Sequence, residues 1–279
     1  MKIGITGATG QLGRLVVGKL KERVQTVELV ALVRTPTSAV DLGVETRAFD
    51  YNAPLASALQ GIDYLLLISG NELGKRAEQH ARVLDAAKEA GVKWIVYTSL
   101  LHADRSSLSL ATEHILTEKA LTTSGIPFTI LRNGWYTENY TASIPGAVQG
   151  GAFLGSAGNG RISSVARADL AEAAAVVLTT GEHRGRIYEL ASDQSYTLTD
   201  LAAELSKQTG KLIPYHDLSE ADYAAALVSA GLSEELAQAF ASFDVGASRG
   251  DLFDDGKELS ALLGRPTTPL ADVVRQALV

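Results

Sequence analysis

The chain has 279 residues, of which 46% are hydrophobic, a formal net charge of −7 and no cysteine. This length suffices for one large α/β core, or for a core with a smaller lobe. The lack of cysteine excludes disulfides and thiolate metal sites, and it suits a reducing compartment. The sequence has no secretory signal pattern, no apolar run long enough for a membrane helix and no basic cluster. We therefore expect a cytoplasmic protein with no membrane span and no nucleic-acid partner.

Strand and helix patterns alternate through the first half of the chain. A helix is predicted over 10–22, a short helix around 54–61, and longer helices over 74–90 and 108–123. Short apolar segments indicate six strands, at 2–6, 26–33, 44–49, 64–69, 93–99 and 127–132. This alternation predicts an α/β fold with a doubly wound, Rossmann-type parallel sheet.

The regular alternation of strand and helix patterns ends after residue 145. Glycines crowd the segment "GAVQGGAFLGSAGNG" at 146–160, and a helix over 168–179, a strand over 186–191 and several short helices follow. We expect a nucleotide-binding domain over 1–150 and a smaller mixed α/β lobe on the substrate side over 151–279. Elements after residue 160 can also rejoin the first core.

A glycine-rich loop, "ITGATGQLG" at 5–13, leaves the first strand and opens the first helix. In such a turn, Gly7 allows the tight bend, Gly10 lets the backbone approach a pyrophosphate, and Gly13 allows close packing of helix on sheet. The helix N-terminus then offers free N–H groups and a positive dipole to the phosphates. The loop therefore predicts a dinucleotide site, the alternative being a turn without ligand. Its expected contacts are Gly7, Ala8, Thr9, Gly10, Gln11, Leu12 and Gly13.

Arg34 ends the second strand, where a site that prefers NAD usually has an acidic residue. A guanidinium suits the 2′-phosphate of NADP, so we predict NADPH as the preferred cofactor. Arg14 either adds charge on that side or is an ordinary exposed helix residue. Asp50 either flanks the adenine or caps the next helix.

Several stretches of the sequence are more specific than the glycine loop. They are "LLLISG", "VKWIVYTSLLHAD", "TEKAL", "LRNGWYTENY", "SEAD" and "DVGASRGDLFDDGKELSALLGRPTTPL". With "TGATGQLG", they make the chain resemble the NmrA-like branch of atypical short-chain dehydrogenases over almost its whole length. Within that branch the sequence is most similar to the bacterial NAD(P)H:quinone oxidoreductases of type 2, with triphenylmethane dye reductases as near relatives.

The resemblance implies how a cofactor lies across the carboxyl ends of the strands. Gly7 to Leu12 and Arg34 are expected at the adenosine-phosphate half of NADPH. The remaining contacts implied are Ser69, Gly70 and Asn71 along the cofactor, and Asn133, Gly134, Trp135, Tyr136, Thr137, Glu138 and Arg167 at the nicotinamide end. A quinone is expected to stack beside the "GWY" loop.

The sequence departs from the wider dehydrogenase family at its acid/base pair. Those enzymes use Tyr-x-x-x-Lys, but here Lys119 is preceded at the matching position by Ile115, which has no proton to give. Ser99 matches the usual serine without a tyrosine partner. Ordinary alcohol dehydrogenation is therefore disfavoured, whereas quinone reduction is compatible, because the product becomes aromatic and its anion is only weakly basic.

Three side chains are candidates to orient the acceptor or to donate a proton: Tyr136, His102 and Lys119. Each has a simpler interpretation, as a packing residue, a loop residue and a solvated helix residue respectively. Two adjacent acids, Asp254 and Asp255, are expected to cap a helix rather than to bind metal. Ser219 and either Thr197 or Thr199 are also predicted as helix caps.

Two functions of different class fit these observations. The first is NADPH-dependent reduction of quinones by direct hydride transfer without a flavin, with other planar acceptors such as dyes as a variant. The second is a non-catalytic NADP(H) sensor of the NmrA type that acts through a protein partner. A pocket beside the nicotinamide, lined by Tyr136 and Trp135, would favour the enzyme. The oligomeric state is not predicted.

Overall fold

Two parallel sheets organise the protein, whose computed structural model describes residues 1–24 and 26–278. The strands are β1 (Lys2–Thr6), β2 (Glu28–Val33), β3 (Glu45–Ala48), β4 (Tyr64–Leu67), β5 (Trp94–Leu100), β6 (Phe128–Asn133), β7 (Phe153–Gly155), β8 (Ile187–Leu190) and β9 (Tyr215–Asp217). Seven of them form one sheet in the order β3-β2-β1-β4-β5-β6-β8, and β7 pairs with β9. The Rossmann-type fold is thus confirmed.

Helices cover both faces of the large sheet. They are α1 (Gln11–Arg23), α2 (Arg76–Glu89), α3 (Ser109–Thr123), α4 (Thr137–Thr141), α5 (Ile144–Gly150), α6 (Arg167–Thr180), α7 (Leu198–Thr209), α8 (Glu220–Ser229), α9 (Glu234–Ser248), α10 (Glu258–Leu263) and α11 (Leu270–Ala277). Helices α1, α6 and α10 pack on one face, and α2 and α3 on the other. All seven residues of β5 are buried, as expected of a central strand covered on both sides.

The chain returns to the large sheet after residue 150. The strand predicted over 186–191 forms β8 and pairs in parallel with β6, so it rejoins the first core, one of the two alternatives that the sequence left open. Tyr188 and Leu190 of β8 face the same apolar core as α1 and α6. Periodicity identified the strand correctly but could not identify its neighbour.

A second apolar core lies beyond the carboxyl edge of the sheet. It joins the ends of β5 and β6 to the β7–β9 pair, α5, α7, α9 and α11. Trp135 belongs to this core and packs edge-on against Phe243, with ring centroids 5.2 Å apart. None of the helices within residues 1–24 and 26–278 has the length and hydrophobicity required to cross a bilayer.

The predicted helix caps have mixed outcomes. Thr197 forms a reciprocal capping box with Asp200 at the start of α7, and Ser219 caps α8. The cap predicted from Asp254 and Asp255 is wrong, because Lys257 occupies the N-cap of α10. Asp254 accepts from the Gly256 N–H (2.7 Å), and its Oδ2 lies 3.2 Å from His102 Nε2.

Asp244 is a buried carboxyl in the second core. It accepts from the Ser156 N–H (2.9 Å) and lies 3.4 Å from the Tyr140 hydroxyl. Burial raises its pKa from 3.8 to about 6. Between these two values the folded protein holds a proton that the unfolded chain has lost, so folding becomes less favourable as pH rises through this range.

We expect Asp244→Asn to remove this pH dependence. The wild type should lose about 2 kcal/mol of unfolding free energy between pH 4 and pH 7 that the variant keeps. Denaturant unfolding of both proteins at several pH values measures the difference. Parallel stability curves would mean that Asp244 does not titrate in this range.

Candidate functional site

A cavity of 610 Å³ crosses the carboxyl edge of the large sheet. It lies where the strand order reverses between β1 and β4, the usual ligand position in such sheets. Its volume is within the range of known ligand sites. Residues that follow β1, β2, β3, β4 and β6 all contribute to its wall: Gly7, Thr9, Gly10, Gln11, Leu12, Gly13, Leu32, Val33, Arg34, Phe49, Asp50, Tyr51, Ile68, Ser69, Gly70, Asn71, Glu72, Arg76, Gln79, Tyr136 and Arg167.

The glycine loop has the backbone expected of a phosphate cradle. Gly7 has φ +59°, which glycine adopts without strain. A Cβ on Gly13 would lie 2.3 Å from the Gly7 carbonyl oxygen, so only glycine lets α1 approach the turn this closely. Gly10 is the N-cap of α1 and lines the cavity, whereas Ala8 is fully buried beneath it. The loop therefore presents the helix N-terminus to the cavity.

The two arginines near this loop have different environments. Arg34 is exposed and lines the cavity at the end of β2. Arg14 pairs instead with Asp41 and donates to the Thr9 carbonyl, and it does not line the cavity. Of the two, only Arg34 is placed to meet an anion bound at this edge.

Sequence reasoning missed most of the wall near β3 and α2. Phe49, Tyr51 and Gln79 line this part of the cavity together with Asp50, which had been weighed for the adenine. The Tyr51 hydroxyl donates to the Ile68 carbonyl (2.6 Å), and burial raises its pKa. The phenol therefore stays neutral and fixes the end of β4. The signal that could have found Tyr51 is its place directly after a predicted strand.

The far end of the cavity is formed by Tyr136 and Arg167. The Arg167 guanidinium carbon lies 4.2 Å from the Tyr136 ring centroid, in a cation–π contact. Asn139 accepts from Arg167 (2.9 Å), and Glu138 accepts from its backbone N–H (2.9 Å). Burial raises the pKa of Tyr136, so this hydroxyl also keeps its proton.

The other predicted residues of this segment lie behind the cavity wall. Gly134, directly after β6, lies against the end of β8, where a Cβ would be 2.8 Å from the Leu190 carbonyl oxygen. Trp135 does not line the cavity, since its ring packs in the second core. The remaining residues of the segment that do not line the cavity are Asn133, Thr137 and Glu138.

Two of the three catalytic candidates lie outside the cavity. Lys119 is exposed on α3, and His102 is buried at the junction of the β5–α3 loop with residues 253–254. The His102 backbone N–H donates to Glu189 (2.9 Å), and its ring lies beside Asp254. Of the three candidates, Tyr136 lines the cavity.

Ser99 belongs to a buried ionic network. Its hydroxyl donates to Glu118 (2.6 Å), and Arg132 donates to both oxygens of the same carboxylate (3.0 and 2.8 Å). Arg132 also donates to Glu189 on β8 (2.8 Å). The serine proton is thus used to hold β5 to α3.

Ser99→Ala is therefore expected to lower stability by about 1 kcal/mol and to leave turnover unchanged, because Glu118 keeps its two bonds from Arg132. Thermal unfolding and steady-state kinetics of the variant measure the two effects. A large loss of turnover in a folded variant would assign Ser99 to the reaction instead.

Residues 7–181 match a protein family described as NAD(P)H-binding. Quinone oxidoreductase 2 from Escherichia coli (strain K12) is 57% identical over 277 residues, which span 98% of this chain and 97% of that protein. The chain also matches the crystal structure of the E. coli NADPH-dependent quinone oxidoreductase QOR2 complexed with NADPH. That match has a TM-score of 0.96 and 56% identity, and it covers 99% of this chain and all of the other.

The fold and sequence are also similar to those of a dye-reducing enzyme. The Citrobacter sp. triphenylmethane reductase complexed with NADP(H) has a TM-score of 0.95 and 39% identity, with 99% of each chain covered. These similarities extend well beyond the glycine loop, which many nucleotide-binding proteins share. The chain therefore belongs to the NmrA-like NAD(P)H-binding family, in which its relatives include E. coli quinone oxidoreductase 2.

Proposed function

We propose that the protein reduces quinones, with NADPH as the hydride donor. The observation that carries this proposal is the single cavity wall that joins a phosphate-binding loop and Arg34 to the Tyr136–Arg167 pair. The name of the relative with 57% identity over nearly the whole chain supports the same activity.

The residues at the β1–β2 side fit the phosphates of NADPH. Gly10 leaves space that a side chain would fill, and the first N–H groups of α1 point to that space. Arg34 supplies a cation for the 2′-phosphate, which NADH lacks. When bound, NADPH would supply a hydride from its nicotinamide ring.

At the opposite end, Tyr136 and Arg167 would hold the acceptor. The phenol ring offers an aromatic wall for a planar quinone, and its position is fixed by the guanidinium stacked on it. Because the Tyr136 hydroxyl is neutral, it can donate a hydrogen bond to the quinone oxygen that gains negative charge. The Arg167 cation stabilises the same charge.

A strong general acid is not needed for this reaction. The hydroquinone anion is much less basic than an alkoxide, so it can take its proton from water after the hydride has moved. The protein's main contribution is to align the two rings and to limit access of water. This explains how the chain can work with Ile115 in place of the usual tyrosine.

Cationic dyes are a second candidate class of acceptor. Their support is the 39% identity to triphenylmethane reductase over 99% of each chain. A planar dye would use the same aromatic wall, but its positive charge would lie against Arg167, which disfavours it relative to a neutral quinone.

The visible spectrum of the purified protein tests transfer without a flavin, and NADPH carrying deuterium at the transferred position tests whether breaking that bond limits the rate. We expect no flavin band, and slower reduction of a benzoquinone by the deuterated cofactor in single-turnover kinetics. A flavin band that is bleached by NADPH and restored by quinone would overturn direct transfer. Tight NADPH binding without oxidation by any quinone or dye would instead favour the sensor.

A further inference from the structure

Two side chains of helix α2 form hydrogen bonds with the backbone of Gly70, one with its N–H and one with its carbonyl oxygen. The Gly70 N–H donates to His80 Nε2 (3.0 Å), and the Gly70 carbonyl accepts from Arg76 Nε (2.8 Å). Both side chains are buried, with relative exposures of 0% and 5%. Gly70 itself lines the cavity between Ser69 and Asn71. The cavity wall at this point is therefore fixed by the helix behind it.

The hydrogen-bond pattern assigns the tautomer of His80. A backbone N–H can only donate, so Nε2 must be the unprotonated acceptor and Nδ1 carries the proton. Nδ1 lies 3.0 Å from Thr117 Oγ1, whose own proton goes to the Glu113 carbonyl (3.0 Å). Burial, aided by the charge of Arg76, lowers the pKa of His80 to about 3. The ring thus stays neutral and keeps its acceptor towards Gly70.

Gly70 has little room to move toward α2. A Cβ on this residue would lie 3.2 Å from Gln79 Oε1 and 3.4 Å from the Tyr51 ring. The preceding residue is also anchored, because the Ser69 N–H donates to Thr98 on β5 (2.9 Å). Ser69 and Gly70 are consequently held by side chains from α2 and β5, and His80 supplies the bond to the Gly70 N–H.

We propose that His80 is a positioning residue for the cofactor: through its neutral imidazole it fixes the Gly70 peptide against which NADPH binds. This inference rests on the proposed function, because it takes NADPH as the ligand. His80 would act without touching the cofactor. Removing its acceptor leaves the Gly70 N–H buried without a partner, and the segment would shift to satisfy it.

The test compares NADPH affinity among four variants. His80→Leu should raise the Kd for NADPH about ten-fold. His80→Gln, whose amide oxygen can replace Nε2, should restore most of the affinity. Thr117→Val, which removes the partner of Nδ1 with little change of shape, should weaken binding less than His80→Leu does.

His114→Leu is the matched control. His114 is buried to a similar degree on α3, and the Tyr97 hydroxyl lies 2.7 Å from its Nδ1. Unlike Gly70, the partner of His80, Tyr97 does not line the cavity. This variant should lose thermal stability much as His80→Leu does, while keeping the wild-type Kd. The readout is the change in nicotinamide fluorescence on titration, measured without quinone.

Equal Kd values for wild type and His80→Leu would overturn the inference, as would equal losses in His80→Leu and His114→Leu. If His80→Leu does not fold, the affinities of Thr117→Val and His80→Gln for NADPH are compared instead. Unchanged affinity in Thr117→Val would contradict the positioning role. A loss of affinity in His80→Gln as large as that in Thr117→Val would contradict it as well. A wild type that binds NADPH but does not reduce quinones would refute the proposed function alone, because the Kd comparison does not need turnover.

Discussion

Gly10→Val is expected to abolish NADPH binding while the protein remains folded. Gly10 has φ −72° and ψ 167°, an extended conformation that valine adopts without strain. A Cβ there would have one heavy atom within 4 Å, the Gly7 carbonyl oxygen at 3.2 Å, so the rest of the side chain would enter the cavity. We propose that the pyrophosphate lies in that volume, so we expect the Kd to rise by roughly 100-fold or more, about 3 kcal/mol.

Calorimetric titration with NADPH and with NADH measures this effect, since both cofactors share the pyrophosphate. The cost to folding should be about 1 kcal/mol, the usual effect of a poorer N-cap residue. Gly13→Ala is the informative contrast, because its Cβ would collide with the turn itself and destabilise the fold. Retained affinity in a folded Gly10→Val protein would mean that the loop does not cradle phosphate.

Arg34→Ala is expected to weaken the binding of NADPH and to leave the binding of NADH almost unchanged. A charged hydrogen bond to the 2′-phosphate contributes about 1.5–3 kcal/mol, so NADPH should bind roughly 10- to 100-fold more weakly. NADH lacks this phosphate, and its affinity should change by less than about two-fold, as for the loss of an exposed charge. The loss for NADPH should also shrink as salt is added, because the Arg34 side chain is exposed.

Arg14→Ala is the matched control for this prediction. Arg14 is a nearby arginine that pairs with Asp41 and lies outside the cavity wall, so its removal should leave both affinities unchanged. Equal losses for NADPH and NADH in Arg34→Ala would remove Arg34 from the 2′-phosphate. A large effect of Arg14→Ala would assign the phosphate to that side chain instead.

Local patterns in the sequence account for what could be predicted. Buried strands such as β5 are continuous apolar runs, and the turn between β1 and α1 requires glycine at positions that the backbone geometry confirms. Arg34 could be found because it directly follows a strand, and the carboxyl ends of parallel strands meet at one edge. Ser69, Gly70 and Tyr136, which the family resemblance implied as cofactor contacts, also line the cavity.

Contacts between distant segments account for what could not be predicted. The hydrogen bonds that fix the Gly70 backbone come from His80 and Arg76, which in the sequence are ordinary members of an amphipathic helix. The sequence could not choose between the two interpretations of His102, because its partner Asp254 is far away along the chain. It could not choose for Lys119, because a motif spacing does not fix which face of α3 meets the cavity. The place of β8 beside β6 likewise depends on packing against α1 and α6.

The most direct measurement of the central claim follows the absorbance of reduced nicotinamide after rapid mixing of protein, NADPH and a small benzoquinone. A protein-free mixture is the control, since NADPH reduces some quinones slowly by itself. We predict rapid loss of NADPH that saturates with quinone concentration and is much slower with NADH. NADPH that binds tightly but is consumed no faster than in the protein-free mixture would contradict the proposed function.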